Sequence, residues 1–100
     1  MIRMAGIEVD EKRLEEICRR WGVAELSVFG STARGEAGSE SDVDLLYVFE
    51  PDARIGWNII DLEDELSGLF GRKVDLVPKH YLHPLMRDEV LAQARVLYAA

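Results

Sequence analysis

Gly30-Ser31-Thr32-Ala33-Arg34-Gly35-Glu36-Ala37-Gly38-Ser39-Glu40-Ser41-Asp42-Val43-Asp44 is the stretch whose reading decides the fold. Before it, Leu26-Ser27-Val28-Phe29 reads as a strand. After it, Val43 leads into the apolar run Leu45-Leu46-Tyr47-Val48-Phe49, a second strand closed by Glu50-Pro51. A Gly-Ser pair at a strand end lets backbone N–H groups approach a phosphate, because no bulky side chain intervenes. Asp42 and Asp44, two apart on a strand, face the same side and can share divalent cations. Asp44 also opens an apolar run, where an unpaired charge is costly to keep. A phosphate-holding loop with paired carboxylates is the equipment for metal-assisted transfer from a nucleoside triphosphate. The plainer alternative is a polar loop followed by a strand with solvent-facing acids.

Working outward, Asp10 is placed to cap a helix whose apolar positions Leu14, Ile17, Cys18 and Trp21 follow helical spacing, with Gly22 closing it. Residues 32–41, with two glycines, Ser39 and Ser41, read as a short turn or helical loop. Asp52 is placed to cap a second long helix bearing Ile55, Ile59, Leu62, Leu66, Leu69 and Phe70, closed by Gly71. Lys73-Val74-Asp75-Leu76-Val77 reads as a third strand stopped by Pro78. His83-Pro84 then leads into a last helix carrying Leu85, Val90 and Leu97. The order α-β-β-α-β-α predicts an α/β (α+β) domain over residues 1–100, a mixed sheet of at least three strands with helices mostly on one face.

Asp75 lies between Val74 and Leu76 and so projects away from both. It is either a charge on the wet face of an edge strand or a third carboxylate able to bind an ion and accept a proton from an attacking hydroxyl.

The 100 residues are enough for one core, and 48% hydrophobic content argues against disorder. No apolar run reaches 18 residues and no secretory signal is apparent, so membrane insertion and export are not expected. The single Cys18 suits a reducing cytoplasm and reads as a packed thiol. A net charge of −7 argues against direct nucleic-acid binding. The cluster Lys12, Arg13, Arg19 and Arg20 reads as a solvated helix face neutralised by Glu11, Glu15 and Glu16. An acidic chain suits a basic protein partner, or a small anion held through metals. His80 and His83 lack a Cys or Glu companion for zinc, and Trp57 is either an exposed contact or simply part-buried.

The spacing G-S-x10-D-x-D, from Gly30 to Asp44, resembles the signature of the polymerase-β-like nucleotidyltransferase superfamily. Phe29 to Glu36 together with Ser41 to Leu46 resembles its smallest branch, the minimal nucleotidyltransferases. His83-Pro84-Leu85 and Val96-Leu97-Tyr98 are similar to that branch's last helix, so the likeness spans nearly the whole chain. Position 32 carries Thr, where many relatives carry Arg. The resemblance implies the small nucleotidyltransferase fold, with Gly30 and Ser31 holding the terminal phosphates of ATP. Arg34 either joins them or sits in solvent beside Glu36. Two Mg²⁺ ions would be bridged by Asp42 and Asp44, with Asp75 completing the metal site.

Stand-alone members of this branch pair with a small helical HEPN protein, often as antitoxin to a HEPN ribonuclease toxin. The resemblance therefore implies AMP transfer from ATP onto a tyrosine hydroxyl of such a toxin, within a hetero-oligomer. Two other functions stay open: a non-catalytic module that masks its partner, and nucleotidyl transfer to a small hydroxyl compound with another subunit.

Overall fold

The computed structural model describes residues 1–4, 6–35, 42–53 and 58–100. Two short strands, β1 (Ile2–Met4) and β2 (Ile7–Val9), pair antiparallel as a hairpin. Helix α1 (Glu11–Trp21) follows. Its N-cap Asp10 accepts from the backbone N–H of Lys12 and Arg13, and Gly22 closes it at φ 75°. Strand β3 (Val23–Phe29) delivers the chain to the four-residue α2 (Gly30–Ala33). Strand β4 (Val43–Phe49), helix α3 (Ile59–Phe70) and strand β5 (Val74–Pro78) come next. A 3-10 turn at Lys79–Tyr81 leads to helix α4 (Pro84–Gln93) and strand β6 (Arg95–Ala99).

The main sheet has the order β5-β4-β3-β6. Strands β4 and β5 are parallel, while β3 pairs antiparallel with both β4 and β6, so the sheet is mixed as expected. Alternation divides β4 in two. Val43, Leu45 and Tyr47 enter the core that α1 and α3 cover with Leu14, Ile17, Cys18, Leu62, Leu66 and Phe70. Asp44, Leu46 and Val48 project from the other face. The Glu65 carboxylate ties the two helices together, accepting from Trp21 Nε1 at 2.6 Å and pairing with Arg20. Helix α3 also closes one sheet edge: Ser67 Oγ accepts from the Val74 N–H, and Glu63 Oε2 from the Leu76 N–H.

Three expectations change. Residues 95–99 form a strand rather than the end of the last helix, because α4 stops at Gln93 and Ala94 is extended at φ −66°, ψ 140°. Leu97 accordingly packs from a strand. The β1–β2 hairpin is an addition to the expected order. Among the described residues α3 begins at Ile59 with Asn58 as its N-cap, while Asp52 lies in a turn. The expectations for Ser39, Ser41, Ile55 and Trp57 lie outside the described residues. Pro78 ends β5 from within, opposite Tyr47, which an edge strand tolerates.

Candidate active site

The strand register assembles the site. Phe29 at the end of β3 is opposite Asp44 of β4, and Asp44 is opposite Asp75 of β5. Neighbouring strands run about 4.8 Å apart and register partners share a face, so the Asp44 and Asp75 carboxylates stand side by side. On the core side of β5, Val74 is fully buried, as the alternation around Asp75 requires. Leu46 and Ser27 are buried on the same face as Asp44, so this face is only partly wet.

Gly30 follows Phe29 at φ 71°, in the left-handed region. A Cβ built there would lie 2.7 Å from Asp44 Oδ2. The glycine thus meets two demands: a backbone turn that side chains resist, and a space beside the Asp44 carboxylate that a Cβ would fill. Ser31 is half-buried on α2. Thr32 is only 2% exposed and its Oγ1 has no hydrogen-bond partner among the described residues, so the side chain at this position packs inward and adds no charge to the loop.

Asp44 carries the electrostatic signature of the site. Burial, and then the charges of Asp75 and Asp42, push its carboxyl above the ordinary value. Asp42 is exposed and has Lys73 Nζ 3.9 Å from its Oδ2. Among the described residues no three Asp, Glu, His or Cys side chains converge as a ready-made metal cluster. The three sequence-predicted acids therefore share one end of the sheet, with Asp44 and Asp75 adjacent and Asp42 turned to Lys73. Around a carboxyl raised first by burial and then by like charge, Asp44 and Asp75 offer the hard oxygen donors that a divalent cation such as Mg²⁺ takes.

Arg34 is exposed and donates from Nη1 to Gln93 Oε1 at 3.3 Å, linking the loop after α2 to α4. Between them a cavity of ≈ 200 Å³ is lined by Phe29, Gly30, Arg34, Met86, Glu89, Val90 and Gln93. Sequence reasoning missed this wall. Met86, Glu89, Val90 and Gln93 share one helix face by spacing, but nothing local says that the face meets Gly30. Lys73 was legible in principle: it precedes β5 as Asp42 precedes β4, and the strands pair Val43 with Val74. Neither histidine belongs to a metal cluster among the described residues. His83 Nδ1 instead accepts from the Leu85 N–H and caps α4. Cys18 is buried and its thiol is pushed up to about 12, an inert core group. Of the basic helix cluster, Arg19 lies 3.9 Å from Glu15 and Arg20 pairs with Glu65.

The chain has relatives among known proteins. The family profile described as a nucleotidyltransferase domain matches residues 11–97. A protein adenylyltransferase, MntA, of Thermococcus cleftensis is 43% identical over 79% of this chain and 79% of its own length. A solved structure of a minimal nucleotidyltransferase superposes with a TM-score of 0.70 at 39% identity, covering 85% of this chain and 86% of that one. The same fold occurs in the complex of a tri-AMPylated HEPN toxin of Shewanella oneidensis with an MNT antitoxin. That match has a TM-score of 0.61 at 18% identity over 90% of this chain and 70% of that chain. No helix among the described residues is long and apolar enough to cross a membrane.

Proposed function

The chain belongs to the nucleotidyltransferase domain family, and on that premise we propose that it transfers AMP from ATP to a tyrosine hydroxyl of a HEPN-type ribonuclease toxin and so acts as its antitoxin. The observation that carries this reading is the juxtaposition at the sheet end: Gly30 backbone against Asp44, with Asp75 in register beside it. A left-handed glycine whose added Cβ would meet a carboxylate raised by burial and two other acids fits a triphosphate and cation site better than a wet strand edge.

In this reaction the acceptor oxygen attacks the α-phosphorus of ATP. The bond from that phosphorus to the bridging oxygen of the β-phosphate breaks, and pyrophosphate leaves. The hydroxyl proton passes to Asp75, whose carboxylate shares the face of Asp44. Gly30 N–H and the Ser31 hydroxyl hold the terminal phosphates, and Arg34 lies within reach of the same side. Mg²⁺, two ions held by Asp42, Asp44 and Asp75, would supply the positive charge that neutralises the triphosphate and lowers the hydroxyl's affinity for its proton. Asp42, now 3.9 Å from Lys73 Nζ, would have to turn from it to join them. Most of the catalysis is then positioning and electrostatics.

The reading treats residues 1–100 as one domain that relies on its partner for the acceptor side. A net charge of −7 favours a basic partner through electrostatic steering, and a ribonuclease is basic where it grips RNA. AMP on a tyrosine there places a bulky anion where RNA phosphates must bind. The relatives support this choice of donor group and partner: one is a named protein adenylyltransferase, and an MNT chain of the same fold was solved with an AMPylated HEPN toxin.

The test is to incubate the protein, ATP and Mg²⁺ with the product of its adjacent gene and to weigh that product by intact mass spectrometry. A gain of one or more AMP units, absent with Asp44→Ala, is expected. An unmodified partner inhibited in a stoichiometric complex would contradict transfer and leave masking.

A further inference from the structure

Lys73 is tied to the three acids by both its backbone and its side chain. Its carbonyl accepts from the Val43 N–H at 2.8 Å. That bond lies one step before the first register pair of β4 and β5, Val43 with Val74. Both valines are fully buried on the core side, so by alternation Asp42 and Lys73 stand on the face of Asp44 and Asp75. The two strand starts therefore carry two rungs. One sets carboxylate beside carboxylate, Asp44 with Asp75. The other sets carboxylate beside ammonium, with Lys73 Nζ 3.9 Å from Asp42 Oδ2.

The Asp42 carboxylate thus has two claims on it. To join Asp44 and Asp75 around a cation it must turn from Lys73, because an ammonium and a divalent cation compete for the same oxygens. The Lys73 backbone stays where the ladder holds it. Its side chain is 70% exposed on a flexible four-carbon stem, so the ammonium can swing. Charge decides where it goes. A triphosphate beside the acids brings several negative charges to this end of the sheet. The loop after β3 offsets few of them, since Thr32 is buried and uncharged and Arg34 donates to Gln93. Once Asp42 has turned, a phosphate oxygen sharing its cation is the anion within reach of Lys73.

We propose that Lys73 is a hand-over residue: it holds Asp42 in the free protein and moves onto a phosphate of the nucleotide when Asp42 turns to the cation. This inference rests on the proposed function for the cation and the triphosphate, and adds the residue that orders their arrival. Asp42 is withheld from a bare cation and released to one that comes with its nucleotide. Each ligand then favours the other through a single exchange of partners.

The experiment uses Lys73→Met, which removes the charge and keeps the stem, and Lys73→Arg, which keeps the charge. Arg19→Met, which removes one charge from the exposed side of α1, is the control. Two affinities are measured at one pH: Mn²⁺ alone, from its free-ion signal in electron paramagnetic resonance, and ATP in saturating Mg²⁺, by calorimetry. Thermal melting checks the fold, which so exposed a side chain leaves intact. Lys73→Met is expected to bind Mn²⁺ alone about two- to fivefold more tightly, the range of an exposed ion pair. The same variant should bind ATP with Mg²⁺ about fivefold or more weakly, since a charge-assisted bond to phosphate is lost. Lys73→Arg should keep both values near those of the unaltered protein, and Arg19→Met should move neither. In an Asp42→Asn background Lys73→Met should no longer tighten Mn²⁺, because the pair it breaks is already gone. Unchanged Mn²⁺ affinity in Lys73→Met would overturn the hold on Asp42. So would a tightening that persists in the Asp42→Asn background or appears equally in Arg19→Met, which would be a field effect of net charge. ATP affinity unchanged or raised in Lys73→Met would overturn the move to phosphate. Each of these results leaves the proposed function standing. An unaltered protein that binds neither Mn²⁺ nor ATP would overturn the proposed function, and the role of Lys73 with it.

Discussion

Helices α1 and α3 each bury three side chains against the sheet, whereas α4, nearly as long, buries none. The first pair is also stitched together by Glu65, and α3 seals the β5 edge with Ser67 and Glu63. Among the described residues helix α4 is held by a His83 cap and a side-chain bond from Arg34 to Gln93. The molecule thus divides its work. One layer of helix fixes the register that brings Asp44 to Asp75, and the other flank of the site is left lightly packed and apolar on its outside. Stability belongs to the first region, and the second adds little to it.

The largest test of this division is a pair of leucine truncations. Leu62→Ala in α3 should cost about 2–5 kcal/mol in urea unfolding, while Leu85→Ala in α4 should stay within about 0.5 kcal/mol. Comparable losses at both sites would erase the distinction. Next comes Gly30→Ala at the junction of the two regions. A left-handed backbone with a Cβ 2.7 Å from Asp44 Oδ2 should cost about 1–3 kcal/mol and depress AMP transfer beyond that loss of stability. A variant of full stability and activity would show that the contact relaxes freely.

Glu65→Ala should cost about 1 kcal/mol, since its carboxylate is partly exposed, and should shift the fluorescence of Trp21 without touching transfer. The smallest effect has the opposite sign. Because the Asp44 carboxyl is raised, the folded protein holds that proton more tightly than the unfolded chain does. The group therefore favours folding below the ordinary carboxylate range, and that contribution is lost as pH rises through the raised value. In calorimetry without divalent cation, Asp44→Asn should melt slightly above the unaltered protein at neutral pH, with the gap closing near pH about 3. A lower melting point at neutral pH would mean that Asp44 is a structural acid.

What was readable in the chain follows the same line. Asp10 and Gly22 bracket α1 because capping is a local property, and both do so in the fold. The Gly-Ser and Asp-x-Asp spacing placed the loop between β3 and β4, and the alternation at Asp75 gave its face, because each is a matter of neighbours in sequence. Strand β6 was misread as helix. The run Val96-Leu97-Tyr98 carries strand-forming residues, yet its partner is β3: Tyr98 lies opposite Leu26, a pairing that no local window contains. The hairpin had a signal in the alternating Ile2-Arg3-Met4 and Ile7-Glu8-Val9 around Gly6, short enough to pass as an irregular terminus. The meeting of α4 with Gly30, and the turn of Asp42 toward Lys73, depend on tertiary packing and register.

The proposed function requires that the paired carboxylates of β4 and β5 beside Gly30 hold a metal-bound nucleotide. The most direct measurement is isothermal calorimetry of ATP binding in Mg²⁺ and in EDTA, for the unaltered protein, Asp44→Ala and Asp75→Ala. Clear binding in Mg²⁺, weak binding in EDTA where three carboxylates repel the triphosphate, and loss of the difference in both variants is the predicted result. Equal affinity in Mg²⁺ and EDTA, or a magnesium effect untouched by removing either aspartate, would contradict it.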